Sequence, residues 1–178
     1  MSRIDQTAQP SEPELSEPGP PAGGFRGLDE LLAAARAGLD RLRPAEAMAE
    51  LAAGARLVDI RPAWQRAAEG EIEGALIIER NHLEWRLHPD SPARVAAAQP
   101  GQRWIVVCSA SYTSSLAAAA LRALGIDATD LVGGIERWRA DGLPVRPGLT
   151  RVGQVVGEQP SVDFGDLAGP HVEDEATH

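Results

Sequence analysis

The one cysteine of the chain, Cys108, stands between an apolar run, Trp104 to Val107, and a polar stretch of Ser109, Ala110, Ser111, Tyr112 and Thr113. An alanine-rich segment from Ser114 to Leu124 follows. This order reads as a buried strand, a short loop and a helix. It sets a thiol at a helix N-terminus, where unpaired N–H groups and the positive end of the dipole favour an anion. Thiols in such places titrate lower than free cysteine, and the thiolate is the nucleophile. The loop contains no large apolar residue, so its amides can curl around the sulfur as an anion nest. Thr113, Ser114 and Ser115 suit an N-cap. The competing reading is plain: a cysteine closing an apolar strand is more often a small buried hydrophobe.

Other side chains narrow the chemistry. Arg61, Arg80 and Arg86 either bring positive charge to an anionic substrate or, taken singly, pair with a carboxylate or face solvent. The four histidines show no metal-ligand spacing, and no serine sits in a nucleophile elbow. Neither a metal nor a cofactor is expected. Cysteine-dependent phosphatases need an arginine six positions after the cysteine to clamp phosphate, and Ser114 stands there. Trp104, Trp138 and Trp64 read as core, and Trp85 stays open.

The elements that must position Cys108 follow from periodicity and punctuation. Apolar residues from Leu28 to Leu42 form a helical stripe, free to pack on the domain or on a partner chain. Pro44 opens a second helix that ends at Gly54. A short strand reaches Asp59, and Pro62 starts a helix running to Gly70. Ala75 to Ile78 form a strand, and residues 81–98 read as one short helix, a loop and part of another helix. After the Cys108 unit come a strand entering Gly133 and Gly134, then a helix with Ile135 and Trp138 on one face. Leu143 to Pro147 lead out of the domain. Short strands apolar on both faces, alternating with helices, imply a parallel sheet covered on two sides. Ligands of such sheets sit beyond the carboxyl ends of the strands, where Asp59, Arg61, Arg80 and Cys108 would meet.

The net charge of −9 lies in the tails. Residues 1–25 hold one arginine and four acids, residues 152–178 hold six acids and no arginine, and the part between balances 16 with 16. A neutral folded part argues against nucleic-acid binding. Both tails, 1–25 and 147–178, have the composition of disordered segments. A lone cysteine, and the lack of a secretory or membrane-spanning apolar run, read as a soluble, reduced, cytoplasmic protein with no membrane partner.

Three segments together resemble one known family. The stretch from Leu57 to Ala75, with its Asp–x–Arg strand end and Gly–x–Ile–x–Gly–Ala turn, resembles the opening of rhodanese-like domains. Cys108 and its loop match the family's catalytic loop in position and length, and Leu131 to Val145 resemble its closing Gly–Gly, Trp and Gly–Leu–Pro motif. The resemblance covers about residues 44–146, which leaves 26–43 as an additional helix. It implies a three-layer α/β/α fold around a parallel sheet of about five strands. It also implies sulfur transfer, from thiosulfate or another persulfide donor to a thiol or cyanide acceptor, through a persulfide on Cys108. The backbone of Ser109, Ala110, Ser111, Tyr112, Thr113 and Ser114 would cradle the anion, and Arg61 or Arg86 would supply the cation. The alternative is a catalytically weak binding or sulfur-sensing module that recruits a protein through the N-terminal helix. The loop departs from the family pattern in having neither a cation nor a glycine. Loss of one charge-assisted contact weakens anion binding by roughly 1.5–3 kcal/mol. Ser111 in place of glycine would obstruct a left-handed turn. Glu71 stands where the family often has histidine.

Overall fold

A computed structural model describes residues 24–147. Four short apolar segments form one sheet: β1 (Arg56–Asp59), β2 (Leu76–Ile77), β3 (Trp104–Val107) and β4 (Ala128–Asp130). All pairings are parallel, in the order β2-β1-β3-β4, so β3 lies between β1 and β4. Asp59 pairs with Val107 on one side of β3, and Asp130 with Val106 on the other. The carboxyl ends of the three strands therefore meet at one edge.

Both faces of the sheet are covered, which explains the unbroken apolar run of β3. Trp104, Val106 and Cys108 pack with Val58, Leu83, Leu87, Ala117, Ala118 and Leu121. Ile105 and Val107 face the other way, onto Leu57, Ala47, Ile135 and Trp138. The helices in these two layers include α1 (Leu28–Ala37), α2 (Pro44–Ala52), α4 (Leu83–Leu87), α5 (Thr113–Ala123) and α6 (Gly134–Ala140). Helix α3 (Ala63–Glu69) joins β1 to the turn before β2. The fold is the expected three-layer α/β/α arrangement.

The sheet of about five strands is present with four, and beside β4 Leu42 adds one parallel bridge, through Leu42 N–H to Asp130 and Val132 N–H to Leu42. The ladder stops there because Pro44 has no N–H to donate and already starts α2. Helix α1 ends at Ala37, five residues short of the apolar stripe, yet Leu39 and Leu42 are still buried from the following segment. It packs on α5 of the same chain. Trp64 is 70% exposed, so it is not core. Between α4 and β3 the expected second helix does not form. Pro89, Pro92 and Pro100 leave too short a run to repay helix nucleation, and the chain makes turns. Nor does the segment after Leu143 leave at once, since Arg146 exchanges two backbone hydrogen bonds with Glu71 (2.8 and 3.0 Å). The disordered tails read at 1–25 and 147–178 lie outside the described residues, but for their innermost positions. No helix among the described residues is long and apolar enough to cross a membrane.

Candidate active site

Strand β3 ends at Val107, and five residues carry the chain from Cys108 to α5. Cys108 is 7% exposed, and its Sγ lies 3.2 Å from Ser114 Oγ and 3.4 Å from Ser114 N. Tyr112 occupies the N-cap position of α5 and offers no side-chain cap. The sulfur does that work instead, accepting the N–H of the second helical residue. The hydroxyl cap expected from Thr113, Ser114 or Ser115 is thus corrected. Ser114 faces the thiol, while Ser115 Oγ shares its one proton between the Ser111 carbonyl and Asp130 (both 2.8 Å).

Behind the loop, α6 holds the chain. The N–H of Ile135 donates to the Cys108 carbonyl (3.0 Å) and that of Glu136 to the Ser109 carbonyl (3.1 Å). Gly134 has φ +58°, and a Cβ there would run into both of those carbonyl oxygens. The glycine of the closing motif is needed because the two backbones touch.

On the β1 side, Asp59 binds the guanidinium of Arg61 at 2.6 to 3.2 Å, and both side chains are fully buried. Arg61 also donates to Glu69 (2.9 Å) and to the Gly70 carbonyl (2.8 Å). Burial would lower the pKa of this guanidinium, but Asp59 and then Glu69 outweigh it and raise it. Glu69 in turn accepts the Ser109 hydroxyl (2.8 and 3.1 Å). Arg61 is therefore not an available substrate cation; its charge is neutralised inside the fold. Arg86 is half-buried, donates to the Ala93 carbonyl (3.1 Å) and has its pKa lowered by burial. Arg80 pairs with Glu84 (2.8 Å). Glu71, in the histidine position, forms a buried pair with Arg66 (2.7 Å).

On the β4 side stand two residues that sequence reasoning missed. Arg36, in the last turn of α1, donates to the Ser111 carbonyl (2.9 Å) and to Ser115 Oγ (3.1 Å). Its guanidinium lies over the Tyr112 ring, 5.8 Å from the centroid. Arg41 grips Asp130 with two nitrogens (2.8 and 3.1 Å) and reaches Ser111 Oγ (3.1 Å). Gly133 N–H also donates to that oxygen (3.0 Å). Ser111 itself sits at φ +61°, the one non-glycine residue in the left-handed region among those described. The conformation that its side chain was expected to obstruct is adopted, and the hydroxyl is bonded in place. No local pattern marks Arg36 or Arg41, because their partners are 70 to 89 residues away.

Of the residues singled out from sequence, the geometry brings Ser114 to the sulfur. It turns the Ser109 and Ser111 hydroxyls to structural partners, leaves Ala110 half-buried, and exposes Tyr112 and Thr113. No His, Cys, Asp and Glu cluster among the described residues could hold a metal ion.

A protein of unknown function from Rhodopseudomonas palustris CGA009, described as a possible tyrosine phosphatase, is 28% identical. Its structure has a TM-score of 0.63, with 72% of this chain and 100% of that one covered. A rhodanese-related protein from Thermoplasma volcanium is 23% identical, with a TM-score of 0.49 over 61% of this chain and 98% of its own. A thiosulfate sulfurtransferase from Pseudomonas aeruginosa is 26% identical, with a TM-score of 0.48 over 62% of this chain and 20% of its own. No curated protein sequence matches significantly. The family model of the rhodanese-like domain matches residues 43–141, which hold the Asp59–Arg61 strand end, the Cys108 loop and the Gly133–Gly134 motif, and the chain belongs to that family.

Proposed function

We propose that the chain is a sulfurtransferase of the cytoplasm whose sulfur carrier is Cys108. One observation supports this above the others: the Cys108 sulfur caps the N-terminus of α5, against Ser114 N–H and Oγ, at the carboxyl edge of a rhodanese-like sheet. An anion on that sulfur, thiolate or persulfide, faces the positive end of an eleven-residue helix.

In the first half-reaction the thiolate attacks the outer sulfur of a sulfane donor. With thiosulfate, the S–S bond breaks, sulfite leaves with its electron pair, and Cys108 becomes a persulfide anion. In the second, a thiolate or cyanide attacks the terminal sulfur, the persulfide bond breaks, and the Cys108 thiolate returns. The sequence is a ping-pong cycle through a covalent intermediate. Within the chain, Ser114 stabilises the sulfur anion, and α6 fixes the loop from behind through the Cys108 and Ser109 carbonyls. With no cation inside the loop, donors less charged than thiosulfate, such as small organic persulfides, are favoured.

The test is mass spectrometry of the full-length chain after exposure to a panel of sulfur donors. Cys108 is expected to gain the mass of one sulfur atom and to lose it on adding cyanide or a thiol, and Cys108→Ser is expected to do neither. A wild-type protein that never gains sulfur at that residue overturns the proposal. The Rhodopseudomonas protein's description suggests phosphate chemistry, but here the arginine clamp's position holds Ser114, bonded to the thiol.

A further inference from the structure

Arg36 and Arg41 lie before residue 43, where the family match begins, yet both act on the loop that carries Cys108. Between them they reach both polar ends of Ser111: Arg36 bonds its carbonyl, and Arg41 bonds its hydroxyl. Ser111 is the residue at which the loop turns left-handed, and a side chain makes that conformation unfavourable unless the surroundings impose it. Three residues later the chain presents Ser114 N–H and Oγ to the sulfur. The direction of the turn at Ser111 therefore decides where the Ser114 donors arrive.

Neither guanidinium is placed by its own neighbours in sequence. Packing of α1 on α5 carries Arg36 to the loop, and the Leu42 bridge beside β4 brings Arg41 against Asp130. The segment before the family domain is thus part of the apparatus of its catalytic loop.

We infer that Arg36 and Arg41 are positioning residues for the Cys108 loop, holding Ser111 left-handed so that Ser114 meets the sulfur. They act through Ser111 and do not touch the donor. The inference deepens the sulfur-transfer reading, and its test separates the two. Arg41→Ala, Arg41→Lys and Arg36→Ala are made in the full-length chain, each with Ser111 and with Ser111→Gly. Two rates are followed at Cys108: persulfide loading from a donor, and alkylation by iodoacetamide, which needs no sulfur-transfer activity.

With Ser111 present, Arg41→Ala is expected to slow both rates by about tenfold, because small misplacements of reacting groups are costly. The loss falls on the maximal loading rate and leaves the half-saturating donor concentration within about twofold. Arg41→Lys is expected to recover part of the rate. With Ser111→Gly, the same Arg41→Ala change is expected to cost less than about twofold, since glycine adopts the turn unaided and has no hydroxyl to hold. Arg36→Ala is expected to follow the same pattern, though with a larger residue in the glycine background because the carbonyl it binds remains. An equal loss in both backgrounds, or none in either, overturns the inference. If Arg41→Ala does not fold, the Arg41→Lys pair decides by the same comparison. If the wild type never loads sulfur, the proposed activity fails and the alkylation rates still decide the role of the arginines.

Discussion

Asp59 ends β1 and Asp130 ends β4, the two strands that flank β3, and each carboxylate holds an arginine that leads to the Cys108 loop. The two pairs are built differently. Asp59 and Arg61 are two residues apart, both fully buried, and reach Ser109 by way of Glu69. Asp130 and Arg41 are 89 residues apart, the arginine side chain is 21% exposed, and Arg41 touches Ser111 directly. The first pair forms as soon as the strand end forms and cannot be rehydrated without opening the core. The second exists only after the segment around Leu42 has docked beside β4, and water can reach its cation. One side of the loop is therefore fixed by the fold itself, and the other by an added segment that can be changed without dismantling the sheet.

Substituting the two aspartates in the same way is the strongest way to break this contrast. Asp59→Asn leaves a buried guanidinium short of charge and is expected to cost about 3–5 kcal/mol in urea denaturation, enough to unfold much of the domain. Asp130→Asn is expected to cost about 1.5–3 kcal/mol, because Arg41 can turn to solvent and the asparagine can still accept from Ser115. Equal losses would mean that both pairs belong to the core and that the β4 side is no easier to modify.

A milder change sharpens the β1 side. Glu69 is 26% exposed, and without its charge Arg61 keeps Asp59 and the Gly70 carbonyl. Glu69→Gln still offers an oxygen to Ser109. The expected loss is about 0.5–1.5 kcal/mol, with persulfide loading of Cys108 nearly unchanged. A large fall in loading with little loss of stability would move Glu69 from support of the loop to a part in its chemistry.

The same contrast marks what the sequence could disclose. The Asp59–Arg61 strand end, the apolar run of β3, the lone cysteine and the Gly133–Gly134 pair are short-range patterns, and each led to the place the structure gives it. Arg36 and Arg41 lay inside an apolar stripe read as one helix, and nothing within a helical turn of either shows that its partners are on β4 and the loop. Arg61 was legible as a strand-end cation but not as one already neutralised, because Glu69 comes into range only after α3 turns the chain back. Trp64 was misjudged for a related reason: in a helix of seven residues the periodicity is too brief to say which side meets the core. Ser111 was legible as a substitute for glycine, but the hydrogen bonds that make it tolerable come from four separate segments.

Ser111→Gly carries the smallest expected change and, set beside Ser111→Ala, separates the two terms that balance there. Ser111→Ala keeps a Cβ at φ +61° and removes the oxygen that accepts from Arg41 and Gly133, so it is expected to cost about 1–2 kcal/mol. Ser111→Gly removes the same oxygen but also the steric penalty of a left-handed side chain, itself about 1–2 kcal/mol. The two effects oppose, and the glycine variant is expected to lie within about 1 kcal/mol of the wild type. Denaturation midpoints of the three proteins under one set of conditions measure both terms: Ala against Gly reads the strain, and Ala against Ser reads the hydroxyl. If Ala and Gly prove equally stable, the turn at Ser111 stores no strain. The β4-side arginines would then have nothing to hold against, and the loop would be fixed by β3 and α6 alone.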